Sequence, residues 1–249
     1  MMPPSFLPHA WVSSPERLAV AAGVTLGFAL LARQLRGVTR SGALAGALAC
    51  FLLFAAAGPT AFVTLVLLFV MTWASTRLGY RRKLARGLAE RRDGRSAWQV
   101  LANLAVAAAA SVIFSVTGDR AWLVVTLAAL SEAAADTVAS EIGQYRSADA
   151  RLITTWQRVP AGIDGAITIA GSLAGFASGL AIVLLATAGG MIPTSQFWIP
   201  LVAGFAGMLI DSLLGATLQR RGWIDNQTVN LISTLAAAAL SYAILNVLR

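Results

Sequence analysis

The sequence predicts an all-α, polytopic membrane protein, a bundle of about eight transmembrane helices. Three observations predict it. The 249 residues are 57% hydrophobic and only 12% charged, where a soluble domain carries roughly a quarter charged residues. Mean hydropathy is +0.73, and the apolar runs are long and repeated. The basic residues fall into short connections between those runs rather than along them.

Taken in order, the apolar segments are 17–32, 41–57, 60–76, 98–117, 121–142, 165–188, 197–215 and 228–247. A hydrocarbon core of ~30 Å needs about 20 helical residues, slightly fewer where the bilayer thins. The second and third segments are short and joined only by Gly58-Pro59, so they read either as two short spans or as a helical hairpin. Residues 1–16 read as an extracytosolic segment ahead of one membrane-embedded domain, 17–249. With the N-terminus outside and eight spans, the inner connections are 33–40, 77–97, 143–164 and 216–227. They hold 16 of the 19 basic residues and leave only Arg17, Arg120 and Arg249 outside. Positive charge favours the cytosolic side, and one span fewer would destroy the separation. The 77–97 stretch reads as a basic amphipathic loop lying on anionic lipid. Gly171, Gly175 and Gly179 repeat every four residues in the sixth segment, the spacing of a close helix–helix seam.

Composition excludes several functions. The net charge of +8 lies in short membrane loops, which argues against nucleic acid as the partner. His9 is the single histidine and Cys50 the single cysteine, so histidine catalysis, histidine-rich metal sites and an internal disulfide are not expected. The N-terminus lacks the basic start of a signal peptide and the character of a transit peptide, which suits a bacterial plasma membrane.

The chemistry is expected around residues 128–165. Glu132 and Asp136 sit inside the fifth segment, four apart and therefore on one helix face, and Glu141 lies at its inner mouth. Ionisable groups at membrane depth mark functional sites by default. The topology brings Asp211, near the inner end of the seventh segment, to the same side. Asn103 lies one and a half turns into the fourth segment, and Asn226 and Asn230 flank the start of the eighth. Carboxylates with phosphate and water oxygens are the usual ligands of Mg²⁺, so Glu132, Asp136, Glu141 and Asp211 are the candidate metal ligands. Acids facing one cavity repel unless a cation or proton intervenes. The 143–164 loop carries Arg146, Arg151 and Arg158, then the turn Pro160-x-Gly162-x-x-Gly165, whose amides at a helix start would suit phosphate. Arg95 is the best-placed arginine of the basic loop. No Walker A motif, kinase catalytic loop, G-x-S-x-G or zinc motif is present, so phosphoryl chemistry would rest on Mg²⁺, arginines and backbone amides.

Five stretches in order carry a family resemblance: 98–103 (WQVLAN), 135–143 (ADTVASEIG), 160–165 (PAGIDG), 211–219 (DSLLGATLQ) and 225–230 (DNQTVN). Together they resemble the integral-membrane family once catalogued as domain of unknown function 92, which includes plant phytyl-phosphate kinase and animal transmembrane protein 19. Asp136-x-x-Ala139-x-x-x-Gly143 is also similar to the acidic motif of dolichol and phytol kinases. Val138 stands where the family often has Trp. The resemblance implies a CTP-dependent kinase converting an isoprenyl monophosphate to a diphosphate. In that reading Asp136, Asp211 and Arg158 are catalytic, with Arg95, Asn103, Pro160, Gly162, Gly165, Asn226 and Asn230 at nucleotide or phosphate. The partners would be the prenyl phosphate, membrane lipids and a possible second copy of the chain. A cytidylyltransferase making a CDP-lipid remains open beside it. So does a transporter or flippase whose acids relay ions.

Overall fold

The computed structural model describes residues 15–90, 92–146 and 149–248. His9, Arg249 and nearly all of the expected segment 1–16 lie outside the described residues. Eight long apolar helices form the bundle: α1 (Pro15–Gln34), α2 (Arg40–Ala57), α3 (Pro59–Arg77), α5 (Ala97–Thr117), α6 (Ala121–Arg146), α7 (Ile169–Ala188), α8 (Trp198–Leu214) and α9 (Asn226–Leu248). Each is long and apolar enough to cross a membrane, α8 together with the flanking helical turns that extend it to Thr194–Gln219. A short helix, α4 (Tyr80–Ala85), lies between α3 and α5. Strands β1 (Arg151–Leu152) and β2 (Ala166–Ile167) pair antiparallel between α6 and α7, with Arg151 opposite Ile167.

Local signals set the boundaries. Gly58, at φ +89°, separates α2 from α3, and Pro59 opens α3 where its missing N–H costs nothing. The two short segments are therefore separate helices of 18 and 19 residues, joined by a single residue. Ser96 and Gln99 form a reciprocal capping box at the start of α5. Thr39 caps α2 and Thr168 caps α7 through the amides of Gly42 and Gly171. Because Gly165 adopts φ +76° and β2 follows it, α7 begins at Ile169 and not at Gly165.

The bundle is built around α6. The most apolar window of α6 is 83% buried, against 22% to 56% for the other spans. Small residues make this possible: Gly171, Gly175 and Gly179 of α7 lie against Ala139, Ala135 and Ser131 of α6, where any Cβ would meet those atoms. The outer helices turn large apolar side chains outward, among them Leu26 and Leu30 of α1, Leu44 and Leu48 of α2, and Leu173 of α7. Such an apolar surface belongs in lipid. This is an integral membrane helix bundle.

Contacts between the connections sort them to two ends. At one end Arg95 exchanges backbone hydrogen bonds with the 37–39 turn, Lys83 pairs with Glu141, and Gly165 abuts Ala216. At the other, Thr60 bonds to the Gly189 carbonyl and Arg120 to the Met191 carbonyl. The four basic connections thus share one end. Exposed Trp98, Trp156 and Trp223 ring that end and Trp198 the other, positions that suit the two lipid–water interfaces.

Candidate functional site

Two cavities flank α6 at the basic end. The smaller, of about 150 Å³, is acidic and polar. Asp136 and Ser140 enter it from α6, Asp211 from α8, Asp164 from the loop before β2, Ser172 from α7 and Asn226 from α9. The carboxyls of Asp136 and Asp211 lie within hydrogen-bonding reach of each other. Two carboxyls at that distance cannot both stay charged without a shared proton or a cation between them. Ser233 of α9 donates to Asp211 Oδ2 at 3.3 Å. Partial burial holds the Asp164 carboxyl above its usual range, with Arg220 opposing that shift.

The larger cavity, about 430 Å³, lies among α1, α2, α3 and α5 and reaches Ala133 of α6. Its depth is apolar. Its mouth carries Arg36, Arg77, Arg81, Arg92 and Arg95, with Asn103 just inside. The Asn103 side-chain amide donates to the Gln99 carbonyl at 2.9 Å. Arg95 lines the larger cavity, donates to Thr137 Oγ1 of α6 at 3.5 Å, and its charge acts on Asp136 in the smaller cavity. Position 95 is fixed by its own backbone, which bonds to Gly37 and Thr39 and parallels Val38.

Several expected site residues are placed differently. Glu141 faces away from the acids. It is buried, pairs with Lys83 and accepts from Thr76 Oγ1 at 3.0 Å. Five residues beyond Asp136 is about 500° of helix, which turns Glu141 roughly 140° off that face. Glu132 shares the Asp136 face but lies one turn deeper and does not line the acidic cavity. It is 1% exposed, and neither carboxyl oxygen has a hydrogen-bond partner. Ser233 stands beside it, but its hydroxyl is engaged with Asp211 and the Asn230 carbonyl. Among the described residues no group of three acids, histidines or cysteines is spaced to hold a metal ion. Of the four expected acids, Asp136 and Asp211 line the acidic cavity and Glu132 and Glu141 do not.

The glycine turn also differs. Pro160–Gly165 leads into β2 and does not open a helix; Ala166 N–H bonds to the Ile163 carbonyl and Ile153 N–H to the Gly165 carbonyl, which closes a small hairpin. Gly162 and Gly165 still line the acidic cavity, while Pro160 does not. Arg158 is exposed and pairs with Asp149 at 3.6 Å, away from the acids. Asn226 lines the cavity, whereas Asn230 contributes its carbonyl to Ser233 and Thr234 within α9.

Other contributors carry little sequence signal. Asp164 and Ser172 look like ordinary loop and cap residues. The arginine rim gathers from two separate connections, 33–40 and 77–97. A five-residue π-helical turn, Gly215–Gln219, follows α8 immediately below Asp211, a feature that recurs at functional sites. Gly165 packs its backbone against Gly215 and Ala216, and that close approach admits no side chain at position 165.

The family described as integral membrane protein DUF92 matches residues 23–238. An uncharacterized membrane protein of Synechocystis sp. is 34% identical over 198 residues, 78% of this chain and 77% of that protein. An uncharacterized membrane protein of Methanocaldococcus jannaschii is 31% identical over 231 residues, 92% and 94% of the two chains. Protein VTE6, chloroplastic, of Arabidopsis thaliana is 30% identical over 209 residues, 79% of this chain and 62% of its own. No solved structure matches the chain. With most of its membrane domain matched, acids and glycine turn included, the chain belongs to the DUF92 family of integral membrane proteins.

Proposed function

We propose that this protein is an isoprenyl-phosphate kinase, transferring the terminal phosphate of CTP to an isoprenyl monophosphate at the cytosolic face of a bacterial plasma membrane. One observation carries the reading. An arginine-rimmed apolar cavity and an acidic polar cavity flank α6 at the same end, and Arg95 of the first stands near enough for its charge to act on Asp136 of the second. That is the layout for a lipid phosphate on one side and a metal–nucleotide on the other. Membership of a family that includes plant phytyl-phosphate kinase supports it.

The Asp136–Asp211 pair fits Mg²⁺, because it needs a cation to keep both charges and this ion is commonly held by one or two carboxylates with substrate phosphates and water. Bound there, Mg²⁺ would supply charge neutralisation on the nucleotide phosphates. Asn226, Ser140 and Ser172 are the donors that would orient the nucleotide, and Ser233 holds Asp211 in position. Arg95 would bind the acceptor phosphate and offset the charge that gathers between the two phosphates. An oxygen of the acceptor phosphate forms the new bond to the terminal phosphorus of CTP, the bond from that phosphorus to the bridging oxygen breaks, and CDP leaves. The acceptor is already an anion, so no general base is required.

The test is the purified protein in nanodiscs with CTP, Mg²⁺ and farnesyl phosphate. CDP and farnesyl diphosphate are the expected products. Pyrophosphate would mark a cytidylyl transfer, and lipid movement without nucleotide a flippase; either overturns the proposal. Asp136→Asn and Asp211→Asn should each lower turnover about 10²-fold or more, the usual cost of removing one charge-stabilising group. Full turnover in both would remove the metal assignment.

A further inference from the structure

We propose that the large cavity is the acceptor slot, and that its closed floor limits the acceptor to a tail about one leaflet deep. This rests on the kinase reading for the identity of the occupant. The mouth is cationic: among the described residues Arg36, Arg81 and Arg92 make no ion pair. Arg36 also holds a left-handed backbone, φ 53°, that a non-glycine residue rarely adopts. A monoanionic or dianionic headgroup is the ligand such a rim fits, and the apolar shaft behind it fits a hydrocarbon tail.

The walls descend by helical turns. Gly42, Gly46 and Cys50 line it along α2, and Thr76, Thr72, Phe69 and Leu65 along α3. From Arg77 to Leu65 is about 18 Å of helix and from Arg40 to Cys50 about 15 Å, at 1.5 Å per residue. Half of a ~30 Å hydrocarbon core is about 15 Å. Below Leu65 the slot ends on rings: Phe62 lies 5.7 Å from Phe28, edge to face, and 5.4 Å from Phe54. Phe54 and Phe62 are themselves buried, with Leu53 fully so beneath Cys50. A tail of prenyl-diphosphate-precursor length ends there, and a polyprenyl tail has no room.

Gly46 is the position that tests this. A Cβ there meets only Val100, at 4.0 Å, so a side chain would grow into the slot rather than into a neighbour. Gly46→Leu raises the floor by one turn, about 6 Å. Thermal stabilisation of the purified protein by geranyl phosphate, geranylgeranyl phosphate, undecaprenyl phosphate and inorganic phosphate reads binding without turnover. Wild type should respond to the first two only. Gly46→Leu should keep geranyl phosphate and lose geranylgeranyl phosphate at least 10-fold, with CTP stabilisation unchanged. Arg81→Gln should weaken both lipids about 10-fold. Stabilisation of wild type by undecaprenyl phosphate overturns the closed floor, even if Gly46→Leu fails to fold. An unchanged tail profile in a folded Gly46→Leu overturns the slot while leaving the kinase standing. The expected binding pattern without any CDP formation keeps the slot and removes the kinase.

Discussion

Lys83 shows how much a single side chain can decide here. It is 1% exposed, and its ammonium is shared between Glu141 and the carbonyls of Ser75 and Thr76, at 3.2 and 2.9 Å. One bond network thus ties the basic loop to α3 and α6. Lys83→Met would leave Glu141 buried with only the Thr76 hydroxyl. Breaking one partner of a buried pair costs about 3–5 kcal/mol, so the thermal midpoint in detergent should fall sharply. The double variant Lys83→Met/Glu141→Leu should recover most of the loss; no recovery would mean that the pair is not the anchor. Lys83 is the single lysine of the chain, yet no motif marks its role, because its importance comes from a partner 58 positions away. Asp225 is a second case. Its carboxylate accepts from the Thr228 hydroxyl at 2.6 Å and amide at 2.8 Å, which caps α9 and holds the carboxyl below its usual range. A lowered carboxylate contributes stability above the ordinary pKa of about 3.9 and loses it as the pH falls through the folded value. The midpoint difference between wild type and Asp225→Ala should therefore shrink on acidification. A difference that grows at low pH would reverse the sign.

Among the elements, α6 and α7 carry the tightest fit. The four-residue glycine spacing announced that seam, and the structure seats it on α6 backbone oxygens. At Gly175 a Cβ would come within 2.7 Å of the Ala135 carbonyl and of Met208 Sδ. Gly175→Val should therefore destabilise by overpacking, about 1–3 kcal/mol, and displace α8 with Met208. Since Asp211 rides on α8 one turn beyond Met208, turnover should fall more than the midpoint implies. Wild-type activity in that variant would show that the seam is looser than drawn. The glycine turn before α7 was expected to open that helix. It instead closes a two-stranded hairpin, because Gly165 takes a left-handed φ and Thr168, three residues on, is the residue able to cap.

For the whole molecule, the sorting of basic connections to one end makes orientation measurable. Cys50 is buried, so a single introduced thiol reports alone. Thr154 is exposed at the basic end and Ser195 at the opposite end. Ser195→Cys should react with a membrane-impermeant maleimide in intact cells, and Thr154→Cys only after permeabilisation. The reverse pattern would put the acidic cavity on the side without CTP. The same arrangement explains why the two cavities open together: every connection that lines them returns to that end.

The amino-acid sequence alone determined that this is a membrane bundle of eight helices, that its cations share one end, and that Asp136 and Asp211 lie near that end. These properties are sums along the chain, of hydropathy and charge, and need no knowledge of neighbours. Only the tertiary structure decided which face each acid uses and what it meets. A helix turns 100° per residue. Glu141 therefore left the acids for Lys83, Glu132 sank beneath the cavity, and the Arg95 charge came to act on Asp136 from a turn pinned to another connection. Rotation about an axis and pairing between distant segments are set by packing, and packing is a property of all the helices at once.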